Sequence, residues 1–390
     1  FGESSRLAGK SDELVRCVNA RLYPLLNDWH RVDAYVNALK KVGVEGKHVM
    51  VFGDGYQSLA MVILRMGARK LTVFEPSREL AKSFKSCVLM NGNGPLERLN
   101  IIESEIRDAR TVGNEEADVL VSLGFGAMVF SRGLHHSLCE LRPFLKERNA
   151  VVPFRMTQNV ELIECPELRA LTTAASRGRM TLREFDHYRN TDSMMFTADQ
   201  GVRLTDLRNC TSLTKTRAIF DYYMDPLETA ELPKKRILVE LQSVTAGIVD
   251  AIMISWSMRT HKYCKDEVTT HPGGSNLMRD LAYGQGYQLV EDFTKRRNHI
   301  PVPFEVSKGE CVTVEVRFSE SRDDMRVRLH RCRADALRAN KTKGSTKPWK
   351  SLQKLPDLPE NRKPWTQDDA IDAYMKQKML REPRPQQHTT

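Results

Sequence analysis

The run Val49-Met-Val-Phe-Gly-Asp-Gly-Tyr-Gln-Ser58 joins an apolar stretch to a glycine turn, and an acid, Glu75, follows about twenty residues downstream. A buried strand feeding such a turn aims the amides of the next helix beyond its own end, and an acid at that distance reaches a ribose hydroxyl. Gly53, Gly55 and Glu75 fit that plan, so nucleotide binding is the chemistry to expect. The third glycine position holds Gln57, whose side chain stands where a bare backbone would let a ligand approach. The turn alone also suits an α/β domain that holds no ligand.

The elements that position these residues read as alternating strands and helices. Leu59, Val62, Ile63 and Met66 recur at helical spacing and the pattern stops at Gly67. Val49 to Phe52, Leu71 to Phe74, Asn100 to Ile102 and Val119 to Val121 read as strands, with a helix over Ser77 to Asn91. This order implies a parallel sheet covered on both faces. Ahead of it, residues 11 to 45 read as helix, with Leu22, Leu25, Leu26, Trp29, Val32, Tyr35, Val36 and Leu39 in one stripe closed by Gly43.

After Pro153 the pattern changes. Val160 to Ile163, Arg236 to Gln242, Ala251 to Trp256 and Cys311 to Phe318 are β-rich without amphipathic helices between them, which predicts a mostly antiparallel barrel or sandwich. Residues 176 to 205 are polar, charged and methionine-bearing, and an insertion of that length reads as an arm or lid. The expected segments are a helical 1 to 47, an α/β domain over 48 to 155, a β domain over 156 to 330 and a basic tail from 331 to 390. Within the tail, Thr366 caps a short helix that carries Ile371, Tyr374, Met375 and Met379 on one side.

Composition bounds the class. The chain has 390 residues, 41% hydrophobic, a net charge of +10 and eight cysteines without CxxC spacing, which argues against zinc and fits a reducing compartment. There is no bilayer-length apolar run and no secretory pattern at Phe1, so a soluble cytoplasmic protein without membrane or metal is expected. Residues 331 to 363 hold ten Lys or Arg against three Asp or Glu, interleaved with Trp349 and several prolines. Either a solvated tail or RNA contact follows from that composition.

The glycine turn at 53 to 55, Glu75, the strand Asp118-Val-Leu-Val-Ser122 and the β domain starting near Pro153 together resemble the protein arginine methyltransferase family, over nearly all of residues 12 to 330. The resemblance implies a Rossmann-type S-adenosylmethionine domain followed by an antiparallel β-barrel from which a helical dimerisation arm projects. It also implies that Arg31, in Arg31-Val-Asp-Ala-Tyr35, corresponds to the arginine that holds the cofactor carboxylate.

Four signatures of that family are altered here. Asp12-Glu-Leu-Val-Arg16 stands where an aromatic lid motif belongs, and the turn lacks its leading acid and third glycine. Where the family has two glutamates that grip a substrate guanidinium, the loop Ser122-Leu-Gly-Phe-Gly-Ala-Met-Val-Phe-Ser-Arg132 offers Leu123 and Arg132. A guanidinium stays protonated, so it needs paired carboxylates to be held and oriented. At about 4 Å and an effective dielectric near 20, exchanging one attraction for a repulsion changes the Coulomb energy by several kcal/mol. No compensating acid is expected nearby. The family's Thr-His-Trp reads Thr270-His271-Pro272, with His271 expected at the surface.

The degenerate positions Leu123, Arg132, His271 and Pro272 imply a resemblance to inactive, prozyme-type paralogues. Such a chain has no catalytic residues of its own, and Arg31, Gly53, Gly55 and Glu75 remain as a vestigial S-adenosylmethionine site that binds no cofactor tightly. The implied partner is a catalytic arginine methyltransferase paralogue, met as a heterodimer or higher assembly through Tyr188, Met194, Met195 and Phe196 of the arm; barrel-core placement is the alternative for these four. Arginine-rich RNA-binding proteins are the implied substrates of the complex. An active methyltransferase with another acceptor and an RNA-binding scaffold acting through the basic tail stay open.

Overall fold

The computed structural model describes residues 22–92, 96–104, 106, 115–173, 196–197, 204, 207–225, 231–264, 267–273, 283–292, 302–322 and 324–341. The segments expected at 12 to 16, at Tyr188, Met194 and Met195, and in the tail beyond Lys341, including Trp349, Trp365 and the helix at Thr366, lie outside the described residues. Residues 1–338 form one compact unit and 339–390 a second.

Five strands, β1 (His48–Phe52), β2 (Lys70–Phe74), β3 (Leu99–Ile102), β4 (Ala117–Ser122) and β5 (Leu145–Val152), form a sheet in the order β3-β2-β1-β4-β5, every pair parallel. All five residues of β1 are buried, as a strand covered on both faces requires. Helices Gln57–Arg65 and Arg78–Met90 connect the first strands, the second capped by Ser77, whose Oγ accepts from Leu80 N at 3.3 Å. The strand order reverses between β1 and β4, so the crevice outside their carboxyl ends is where a doubly wound sheet binds ligands.

The single helix expected over 11 to 45 is in fact broken. Helix Leu22–Asn27 ends at Asp28, and Asp28 Oδ1 then caps helix Trp29–Val42 by accepting from Arg31 N at 3.1 Å. Val32, Tyr35 and Leu39 are buried as expected, joined by Arg31, Ala34 and Ala38, whereas Trp29 at the new start is exposed. Asp28→Ala is expected to lower stability by about 1 kcal/mol, read as a shift of the denaturant midpoint with unchanged slope.

Beyond the cis Val152–Pro153 bond the chain is antiparallel. Strands β6 (Arg155–Glu164), β7 (Phe196–Thr197), β8 (Thr211–Ser212), β9 (Arg217–Tyr223), β12 (Ala251–Arg259), β13 (Glu267–Thr269) and β14 (Gly286–Leu289) make a seven-stranded sheet around the β6-β12 pair. Strands β10 (Arg236–Gln242), β16 (Cys311–Phe318) and β17 (Met325–His330) form a three-stranded sheet, and β11 (Gly247–Val249) pairs with β15 (Phe304–Val306). Their inner faces share one core that includes Leu162, Ile252, Val314 and Val327. A closing helix, Arg333–Lys341, follows β17.

Phe196, read as an arm anchor, has its backbone in β7, paired with Tyr287 of β14. The cysteines are not all free thiols: Cys165 and Cys210 form a disulfide, because the pairing of Ile163 with Ser212 and Glu164 with Thr211 brings the end of β6 to the start of β8. Among the described residues no helix is long and apolar enough to cross a membrane.

Candidate functional site

A cavity of about 320 Å³ opens at the switch point, lined among others by Gly53, Asp54, Gly55, Gln57, Glu75 and Arg132. Gly53 adopts φ +102, and a side-chain carbon there would collide with the Leu123–Gly124 peptide, so the turn after β1 lies directly on the loop after β4. Gly55, at φ +66, faces Leu25 Cβ and Arg31 Nη2 and has no room for a side chain either. Both glycines are therefore required by packing, whatever the cavity holds.

Arg31 and Glu75, both expected to meet a ligand, make hydrogen bonds inside the protein. Arg31 is 2% exposed and donates from Nη1 to Tyr283 Oη at 2.9 Å and from Nη2 to Leu25 O at 2.8 Å and Gly55 O at 3.4 Å. Its Nε lies 3.7 Å from Asp28. Glu75, at the end of β2, accepts from Ser77 N at 2.9 Å and lies beside the Tyr56 hydroxyl. Burial raises the Glu75 carboxyl above its usual range, against the pull of those two donors. Gln57 starts its helix at the cavity wall with its Oε1 buried and unpartnered.

The expectation that Arg132 meets no acid is corrected. Its guanidinium forms an ion pair with Asp54 of the glycine turn, across the mouth of the cavity. Neither partner is buried, so the pair contributes little to stability, but it neutralises the cation. Leu123 is 2% exposed and its amide donates to Phe52 O at 2.8 Å, which continues the sheet by one residue.

The rest of the 123 to 132 loop is a plug between the two halves of the unit. Phe125 packs edge-on against Trp256 and beside Tyr283, both at 5.2 Å between ring centres. Trp256 Nε1 donates to Gly126 O at 2.8 Å, Val129 N donates to Gln158 Oε1 at 2.9 Å, and Tyr35 Oη donates to Ser122 O at 2.7 Å. Aromatic rings and amide hydrogen bonds thus fill the space beside β4 and hold the loop in place.

His271, expected at the surface, is half-buried against a carboxylate. Its Nε2 lies 2.7 Å from Glu161 Oε2, and its Nδ1 accepts from Gly273 N at 3.0 Å. An accepting Nδ1 leaves the proton of a neutral ring on Nε2, donated to Glu161, so neither nitrogen is open to act as a base. Glu161 is 2% exposed and also accepts from Thr216 Oγ1 at 2.5 Å. Burial would raise the Glu161 carboxyl, but its hydrogen bonds from His271, Ser212 and Thr216 hold it below the usual range. Pro272 occupies the turn that follows.

Sequence reasoning missed Glu161, Tyr283, Trp256 and the role of Asp54. Their partners lie far off in the chain, and no local spacing announces them. Among the described residues no group of three or more His, Cys, Asp or Glu is placed to hold a metal ion.

A Rossmann-like parallel sheet with a switch-point cavity, joined to antiparallel sheets, defines the class as methyltransferase-like. Comparison with known proteins narrows it. The chain is 24% identical over 251 residues to protein arginine N-methyltransferase 7 of Aedes aegypti, covering 60% of this chain and 36% of that protein. It is 27% identical over 251 residues to protein arginine N-methyltransferase 1.6 of Arabidopsis thaliana (60% and 33% covered) and 23% identical over 311 residues to protein arginine N-methyltransferase 7 of Drosophila erecta (75% and 42% covered). It thus spans 33% to 42% of the length of these curated relatives. A chain of the Trypanosoma brucei PRMT1 enzyme-prozyme heterotetrameric complex with AdoHcy shares the fold at TM-score 0.61 and 16% identity, over 79% of this chain and 91% of that one. No protein-family model matches. The chain is a relative of the protein arginine methyltransferases.

Proposed function

We propose that the chain is a catalytically silent, regulatory relative of the arginine methyltransferases that joins a catalytic paralogue. The observation that carries this reading is the loop after β4. Where the family would hold a guanidinium between two carboxylates, Leu123 is buried in the core and Arg132 is a cation already paired with Asp54. A substrate arginine entering there finds no negative partner to orient it.

The cofactor side supports the same reading. The residues present fit S-adenosylmethionine poorly: Glu75 stands where a ribose acid belongs, but Nη1 and Nη2 of Arg31 already donate to Tyr283, Leu25 and Gly55, and only its buried Nε lacks a hydrogen-bond partner. Gln57 adds a side chain where the turn would otherwise approach the ligand. A solved relative that assembles as an enzyme with a prozyme makes the pairing reasonable. In such a pair the silent chain acts by binding the partner's competent state better than its other states, which needs differential contact and no chemistry.

The test uses the purified chain with and without a catalytic arginine methyltransferase paralogue. Alone, it is expected to methylate no arginine-rich peptide and to bind S-adenosylmethionine more weakly than about 1 mM by calorimetry, an interaction of no more than about 4 kcal/mol. Together, the two are expected to co-elute and the paralogue's turnover to rise. Micromolar cofactor affinity with turnover by the isolated chain refutes the reading.

A further inference from the structure

The Cys165–Cys210 bond joins positions 45 apart and closes the neck of the segment between β6 and β8. In sequence, all four residues expected to meet a partner, Tyr188, Met194, Met195 and Phe196, fall inside that loop. The two ends of the neck are held unequally. On the outgoing side Cys165 N donates to Asp250 Oδ2 at 2.7 Å, and Arg169 of helix Pro166–Leu171 donates to the same carboxylate at 2.6 and 2.9 Å. Asp250 is 4% exposed and Leu168 is fully buried, so charge-assisted hydrogen bonds and packing fasten this end without the disulfide.

The return side has less to hold it. Arg208, Asn209, Thr211 and Ser212 are exposed, and β8 is only two residues long. Arg208 N donates to Glu167 Oε2 at 2.7 Å in an exposed position, while Leu207 and Cys210 lie partly buried against the cluster that holds Ile163, Leu168, Tyr287 and Leu289. From Leu213 onward the chain is anchored again, with Leu213 N donating to Leu162 O at 2.8 Å. For residues 207 to 210 the covalent bond is therefore the strongest tie to the outgoing end that the described residues supply. Tyr287 of the same cluster pairs with Phe196 of β7, so the packing beneath the bond reaches the one expected partner residue that the structure describes.

Cys165 is fully buried whereas Cys210 is partly exposed, so the bond presents a single sulfur to solvent. We propose that Cys165–Cys210 is a thiol-responsive latch: closed, it keeps residues 207 to 210 on the barrel core, and opened, it loosens them and weakens pairing with a partner chain. A small thiolate of the glutathione class attacks Cys210 Sγ, the bond between the two sulfurs breaks, and Cys165 leaves with the electron pair and takes the proton released by the attacking thiol. A second thiol displaces Cys210 from the mixed disulfide, so two small thiols are oxidised to one disulfide while the protein gains two thiols. The freed Cys165 stays among apolar neighbours as a small hydrophobe. The oxidised form of the same thiol closes the bond by the reverse steps. The effect on pairing rests on the regulatory reading above; the latch itself does not.

To test it, the full chain is equilibrated in glutathione buffers of stepped reduced-to-oxidised ratio, and alkylation with peptide mass spectrometry reads Cys165 and Cys210 separately from the other cysteines. Both are expected to turn from disulfide to thiol together, with the fold retained by circular dichroism; a bond that survives the most reducing buffer overturns the proposal. Hydrogen exchange at residues 207 to 210 should speed up about tenfold in the reduced chain, while β6 and helix Pro166–Leu171 keep their rates. C210S, which leaves the buried Cys165 in place, should exchange like the reduced chain in every buffer. Unchanged exchange at 207 to 210 on reduction makes the bond a passive staple and overturns the latch. A catalytic paralogue is then titrated with both forms: about tenfold weaker association of the reduced chain supports the proposal, and equal association overturns it. C210S should associate alike in all buffers, which separates the latch from thiols of the paralogue. Failure of both forms to associate refutes the pairing, and the exchange rates then judge the latch on their own.

Discussion

Replacing Leu123 and Arg132 together with glutamate is expected to leave arginine methylation undetectable and to cost about 3–5 kcal/mol of stability. Leu123 is fully packed between the end of β1 and the plug loop, so a carboxyl there gives up apolar packing and must stay protonated or draw water inward. At position 132 the new acid would face Asp54, turning an attraction at the cavity mouth into a repulsion. Restoring the two carboxylates in sequence thus does not restore a clamp in space. Arg31 remains bound to Leu25, Gly55 and Tyr283, so the cofactor side stays as it was. Denaturant unfolding reads the stability, and a methylation assay alongside an active paralogue reads the chemistry. The single variant R132E, at a partly exposed position, keeps the fold testable if the double variant does not. Turnover by the double variant would mean that the missing acids were the whole defect.

Glu315→Gln is expected to destabilise the protein by about 3 kcal/mol at neutral pH, and the difference should vanish in acid. Burial by itself would raise this carboxyl, but hydrogen bonds from His330, Arg236 and Arg317 overcome it and hold the group at about 2, below its usual 4.5. A depression of that size corresponds to about 3 kcal/mol. Because the folded value is the lower one, the contribution is fully present above about pH 4.5, where the unfolded chain is also ionised. It is lost as pH falls toward about 2 and the folded state takes up its proton. Unfolding free energies of the two proteins should therefore run parallel above pH 5 and converge between about pH 4.5 and 2. Parallel curves throughout that range would show that His330, Arg236 and Arg317 do not hold Glu315 ionised in the folded protein.

Much of the framework was legible in the chain. Val49 to Phe52 is a continuous apolar run because β1 is buried on both faces, and Ser77 announces its helix by its capping chemistry. Other elements were not. Leu145–Val152 carries Lys146, Glu147 and Arg148 in mid-strand, and Met325–His330 alternates with arginines, so composition hid two strands that the sheets require. Asp28 reads as one more polar residue on a helix until its carboxylate is seen to close a new first turn.

The amino-acid sequence by itself determined what is absent: no carboxylate stands at 123 or 132, no third glycine at 57, and these are facts of covalent identity that no folding can change. It also determined the two kinds of sheet, since the period of apolar residues is local. Only the tertiary structure decided how the remaining groups are used. It brought Asp54 to Arg132, joined Arg31 to Tyr283 across 252 positions, held His271 against Glu161 across 110, and aligned three arginines on neighbouring strands. The reason is physical: side-chain spacing along a helix or strand carries information over a few residues, whereas a charge or hydrogen-bond partner is set by which strands the core packs together.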